Sequence, residues 1–408
     1  MRLILVLMSA SILFSCSTQH DLKQGSWRGI VDVQGQELPM NFRVKKEGDK
    51  YLVFLQNMDE EIVLDEIFLK EDSVIMNMHI FDTEIHAKIK GETLTGYYIK
   101  NYEVDFKLPF TAKFGEKHRF VKASDTPAED FSGTYAVDFV HEGDTTVAVG
   151  LFNQSGNELT GTFLTPIGDY RYLQGNVVDG EMMLSTFDGN HSFVFKAKKT
   201  ENGTLSGDFW NGKDWHETWT GVKDDNAALP DAESLTFLKE GYDKIEFSFP
   251  DVNGNMVSLT DERFQNKVIL LQIFGTWCPN CMDETRFLSQ WYPKNKDRGV
   301  EVLGLAYEAK DDFEYASRRV KKMKERMSVP YDFVIAGNMD KEEAAKTLPM
   351  LNHVLSFPTT IFIGKDGTVK KIHTGFSGPG TGIYYERFIQ RFNQTVDELL
   401  ADKLASIQ

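Results

Sequence analysis

"KVILLQIFGTWCPNCMDETRF", residues 267–287, runs from an apolar segment straight into two cysteines, Cys278 and Cys281, separated by Pro279 and Asn280. The run from Lys267 to Phe274, bounded by polar residues, is what a strand buried on both faces requires. The cysteine spacing raises three readings: a redox couple, half of a zinc site, or packing. Zinc needs about four ligands. Beyond this pair the α/β half of the chain offers His353 and His373, which are distant and not spaced like a finger or a ribbon, so no metal is expected.

The surroundings of the stretch alternate strands with helices. "VEVLGLAYE", "YDFVIAG" and "TTIFIG" read as further strands, while "DDFEYASRRVKKMKERM" and "GIYYERFIQRFNQTVDELLADK" read as helices. In the last of these, Phe388, Phe392, Val396 and Leu399 recur at helical spacing, so that helix should pack on a sheet. Residues 235–408 are therefore expected to form an α/β domain. It is preceded by "KDDNAALPDAES", residues 223–234, whose charge, small residues and Pro230 suit an exposed linker.

Upstream, the pattern is strand after short strand. "MNFRV", "YLVFL", "TEIHAKI" and "TLTGYYI" are β-prone and separated by turns such as "KEGDK". A repeat is visible: "GSWRGIVDVQG" from Gly25 aligns with "GTYAVDFVHEG" from Gly133, and "LTGYY" at Leu94 with "LSGDF" at Leu205. Two tandem all-β domains, sandwich or barrel-like, are expected over residues 22–120 and 125–222, divided near "KASDTPAED". Their histidines, His79, His86, His118, His141, His191 and His216, are scattered without ligand spacing. The cluster Trp210, Trp215 and Trp219 flanks an Asn211-Gly212 turn and reads mainly as core.

The first residues read as an address. Residues 1–16, "MRLILVLMSASILFSC", carry Arg2, an apolar run and then Cys16, an export signal too short for a comfortable membrane span. The ending Leu13-Phe14-Ser15-Cys16 resembles a bacterial lipoprotein signal, which implies lipidation of Cys16 and anchoring to a bacterial membrane in the cell envelope, on the periplasmic side or the cell surface. The chain holds three cysteines in 408 residues, so a lipidated Cys16 leaves one thiol pair and no disulfide framework. A net charge of -16 repels phosphate backbones, and nucleic acid is excluded as a partner class.

Together, "FSFPDVNGNMVSLTDERFQNKVILLQIFGTWCPNCMDE" and "LSFPTTIFIGKDGTVKKIHTG" resemble the TlpA/ResA-like exported thiol-disulfide oxidoreductases of the thioredoxin superfamily, which are related to AhpC/TSA proteins. The resemblance covers roughly residues 241–400. It implies a Cys278/Cys281 couple supported by Trp277, Pro279, Asn280 and Pro358, with a cis Phe357-Pro358 bond facing the cysteines. Such a pair can close across the first turn of a helix, where free N–H groups and the dipole favour a thiolate. Pro279 at the first helical position loses no needed hydrogen bond. Cys278, nearer the exposed helix start, is expected to attack, and Cys281 to resolve the mixed disulfide without a bound cofactor.

Cytoplasmic thioredoxins carry a buried acid six positions before the first cysteine, where this chain has Gln272. Glu284, one turn beyond Cys281, is the carboxylate whose spacing puts it on that face, with Asp283 directed elsewhere. Two competing functions stand beside the reductase. A ligand- or client-binding lipoprotein would use the β domains. A thiol peroxidase would place Thr or Ser three residues before its cysteine and Pro further back, where Gly275 and Leu271 stand. The expectation is a disulfide reductase with disulfide-bearing client proteins and an upstream membrane thiol reductant as partners.

Overall fold

The structure, a computed structural model, describes residues 21–124 and 129–402. The signal segment and Cys16 lie outside the described residues, as does part of the boundary between the two repeats. The first β domain is an antiparallel nine-stranded sheet whose first strand, Gly25–Val33, pairs with its last, Lys107–Phe114. It is barrel-like, with one apolar face turned inward, as the alternation of buried and outward residues in Lys50–Asn57 shows. The second sheet, also nine-stranded, closes on itself through the pairing of Asp144–Ser155 with Glu158–Thr165.

The repeat shows in matched roles. Gly25 and Gly133 open the first strand of each domain with φ of +127° and +129°, and the aromatic rings of Trp27 and Tyr135 are buried two residues on. Gly96 and Gly207 follow the buried Leu94 and Leu205; a Cβ at either would overlap the carbonyl oxygen of the neighbouring strand, His86 or Lys196. Of the tryptophan cluster, Trp219 lies in the core, whereas Trp215 is exposed and stacks on His141 with ring centroids 3.9 Å apart.

The linker is shorter than its composition implies. The strand Trp215–Lys223 runs into it, and a helical turn at Ala232–Leu235, capped by Asp231, closes it. Beyond it stands a five-stranded sheet in the order Asp332–Asn338, Val300–Glu308, Val268–Phe274, Thr359–Ile363, Val369–Thr374. The first three strands are mutually parallel, Thr359–Ile363 runs antiparallel to them, and Val369–Thr374 pairs antiparallel with Thr359–Ile363. Val268–Phe274 is central and buried throughout. Helices Pro279–Asn295, Phe313–Arg326 and Ile383–Ala401 pack around this sheet, the last through Phe388, Phe392, Val396 and Leu399. This is a thioredoxin-like domain behind two all-β domains.

The first β domain clasps helix Phe313–Arg326. Arg326 pairs with Asp65 at 2.7 Å and Glu66 at 2.5 Å, Lys322 reaches Glu66 at 2.8 Å, and Tyr315 donates to Asp82 at 3.0 Å. The second β domain lies against the cysteines.

Candidate active site

The central strand ends at Phe274 and delivers the chain to the cysteine helix. Cys278 is the N-cap of Pro279–Asn295, with Pro279 opening the helix. The Cys281 N–H donates to Cys278 Sγ at 3.2 Å, and the two cysteines form a disulfide with Cα atoms 5.2 Å apart. Cys278 Sγ lies 3.4 Å from the Phe357 carbonyl oxygen, and the Phe357-Pro358 bond is cis. Trp277 donates from Nε1 to the Tyr307 carbonyl at 2.8 Å, and its ring meets Phe357 edge-on.

Both cysteines are covered: Cys278 is 5% exposed and Cys281 is fully buried. The expectation of an exposed Cys278 is corrected here, because the loop around Gly168–Asp169 of the second β domain sits on the helix start. Asn280 Nδ2 donates to the Asp169 carbonyl at 3.0 Å, and Asn190 Nδ2 to the Trp277 carbonyl at 2.8 Å.

Glu284 is not a solvated helix residue. It is 0% exposed and accepts hydrogen bonds from Thr360 Oγ1 at 2.7 Å and Gln272 Nε2 at 2.9 Å. Burial pushes its carboxyl up to about 7, against the opposing effect of these two donors. Gln272, whose own Oε1 accepts from Tyr331 at 3.2 Å, therefore tethers the acid.

Two groups, Glu308 and Arg171, escaped the sequence reading. Glu308 is buried at the end of its strand and takes the Thr276 N–H at 2.9 Å and the Thr276 hydroxyl at 2.6 Å, so it fixes the residue two before Cys278. Burial pushes it up to about 7 as well. Its signal was a carboxylate closing an apolar strand that pairs with the central one. Asp283, expected to be directed elsewhere than Glu284, is buried and ion-paired with Arg171. Arg171, 5% exposed, also pairs with Glu60 and lies 3.3 Å from Asp188. Burial would lower its guanidinium, but Asp283, Glu60, Asp188 and Asp169 raise it above its usual range. Asp169 is pushed up to about 6 by burial. For Asp188 burial is outweighed by His191 and Arg171, which hold it at about 2. No local pattern in a thiol-free β repeat points to Arg171.

Comparison places these residues among known proteins. Residues 241–372 match the AhpC/TSA family. The thiol-disulfide oxidoreductase ResA of Bacillus thuringiensis subsp. konkukian is 32% identical over 133 residues, covering 32% of this chain and 68% of that protein. ResA of Bacillus subtilis is 27% identical over 150 residues, covering 37% and 74%. Among solved structures, a thiol:disulfide interchange protein of the thioredoxin family from Chlorobium tepidum aligns with 19% identity over 40% of this chain and 99% of its own, at a TM-score of 0.31.

Proposed function

Because the chain belongs to the ResA-like thiol-disulfide oxidoreductases of the thioredoxin superfamily, we propose that it is an exported, membrane-anchored reductase of protein disulfides working through the Cys278/Cys281 couple. The observation that carries this reading is Cys278 Sγ seated at a helix start, where the Cys281 N–H points at it from 3.2 Å. That N–H and the positive end of the helix dipole lower the cost of a thiolate.

In the reduced protein the Cys278 thiolate attacks one sulfur of a client disulfide. A Cys278–client S–S bond forms, the client bond breaks, and one client sulfur leaves as a thiolate with the electron pair. Cys281 then gives its proton to Glu284 and attacks Cys278 Sγ, releasing the second client thiolate. The client has gained two electrons and the chain holds the Cys278–Cys281 disulfide, the state described above. A dithiol on an upstream membrane reductant returns the two electrons. No further cofactor is needed, because the cysteine pair carries them.

Residues 1–16 support export, and Cys16 supports a lipid anchor holding the chain to the envelope. Trapping tests the roles of the pair. Cys281→Ser should accumulate mixed disulfides with clients and Cys278→Ser should not; the opposite pattern overturns the assignment. Cys16→Ala should move the protein from the membrane fraction to the soluble one.

A further inference from the structure

The second β domain flanks Cys278 on several sides. Asn190 Nδ2 donates to the Trp277 carbonyl, Arg171 Nη1 to the Pro279 carbonyl at 3.3 Å, and Asn280 Nδ2 to the Asp169 carbonyl. From the loop before Pro358, Ser356 Oγ donates to the Ile167 carbonyl at 2.6 Å, and the Gly378 N–H donates to Asp169 Oδ2 at 2.6 Å. The strip Ile167–Arg171 is thus held between the cysteine helix and the loops around Ser356 and Gly378. Exchange requires a third sulfur to reach Cys278 Sγ. A disulfide embedded in another protein cannot reach a sulfur covered in this way.

We propose that the Ile167–Arg171 strip is an internal occupant of the client groove, displaced in turnover by a client segment that carries an Arg or Lys side chain in the place of Arg171. This rests on the reductase reading and names the client class for that same site. Asn280 and Ser356 hold the strip by its carbonyl oxygens, which any peptide supplies. The discriminating contact is the Arg171 guanidinium on Asp283 of the cysteine helix.

When the strip leaves, Asp169 leaves with Arg171, whereas Asp188 stays, because its neighbours Phe187, Gly189 and Asn190 are hydrogen-bonded to Asn57, Thr83 and Tyr102 of the first β domain. Asp283 stays, with Arg286 Nη1 at 2.8 Å from its other oxygen, and Glu60 of the first domain stays beside it. The vacated groove presents carboxylates to the client, and the chain's net charge of -16 adds attraction at longer range. The strip also fits imperfectly. Asn280 Oδ1 and Glu60 Oε2 are buried without a hydrogen-bond partner among the described residues, so a better-matched segment can compete.

The test uses the full chain with Cys16→Ser, so that the pair alone reports. Loss of the Cys278–Cys281 disulfide is timed with dithiothreitol and with a thiol-terminated polyethylene glycol too bulky for the closed interface. Arg171→Ala should raise the polymer rate about tenfold and the dithiothreitol rate less. Ser356→Ala, which frees the Ile167 carbonyl and leaves the charges in place, should shift the ratio in the same direction. Two disulfide peptides differing by Arg or Glu beside the cysteine then test the groove. The Arg peptide should be reduced about tenfold faster, and Asp283→Asn should erase the preference. Polymer rates unchanged in both variants, or a charge preference that survives Asp283→Asn, would overturn the proposal. If the polymer result holds and neither peptide is reduced, it is the reductase reading that fails, and the client class with it.

Discussion

Glu284 shows what a single residue's placement adds to its spacing. Helical periodicity puts it on the Cys281 face, but a solvated carboxylate and a buried acid share that periodicity. The difference lies in Thr360 and Gln272, which come from strands distant in sequence or packed beneath the helix. With the folded carboxyl at about 7 against an ordinary value of 4.5, the folded state binds more protons than the unfolded chain across that interval. Glu284 therefore makes stability fall as pH rises from 4.5 to about 7. Glu284→Gln should flatten that decline in thermal unfolding, and an unchanged slope would assign it to Glu308 or Asp169. The same substitution should slow resolution of mixed disulfides above pH of about 7 while leaving their formation intact, measured by quenched-flow alkylation. The cysteines themselves were legible because chemistry limits what two residues can separate a redox pair. Arg171 and Asp283 were not, since their meaning depends on one another across two domains.

At the scale of elements, periodicity carried most of the α/β domain. The strand expected at "VEVLGLAYE" is Val300–Glu308, and the helices expected near residues 311 and 382 run over Phe313–Arg326 and Ile383–Ala401. Asp312 explains the first of these starts, its side chain accepting the Tyr315 N–H at 2.6 Å. The helical turn Ala232–Leu235 and the strand Gly168–Asp169 were not legible, because elements so short carry too few residues to show a period. In the β repeats the glycines inside strands mark close backbone approach. Gly207→Ala would force its Cβ onto the Lys196 carbonyl, and it should destabilise the second β domain by about 2 kcal/mol. Denaturant unfolding followed by tryptophan fluorescence measures this, with Ser206→Ala as the neighbouring control that should cost little.

Across the whole molecule, the thioredoxin-like domain is held on two sides. One contact is the strip over the cysteines. The other is the ion-paired clasp of the first β domain on helix Phe313–Arg326, where Glu66 answers Lys322 and Arg326. Burial would raise the Glu66 carboxyl, but these two cations hold it at about 2. A depressed folded value contributes stability above the ordinary 4.5 that is lost as pH falls toward about 2. Glu66→Gln should therefore reduce the acid sensitivity of thermal unfolding in that window, an effect that salt screening diminishes. The clasp does not involve the Ile167–Arg171 strip, so it would hold the first β domain on the thioredoxin-like domain while the strip is displaced.

The central claim is that the Cys278/Cys281 couple gives electrons to client disulfides, and its equilibrium potential tests that most directly. Full-length protein is equilibrated in glutathione redox buffers and the Cys278–Cys281 disulfide is quantified after acid quench and alkylation. A reductase should lie near the thioredoxin value of about -270 mV, whereas a potential near about -120 mV, that of a strong oxidant, would contradict the account.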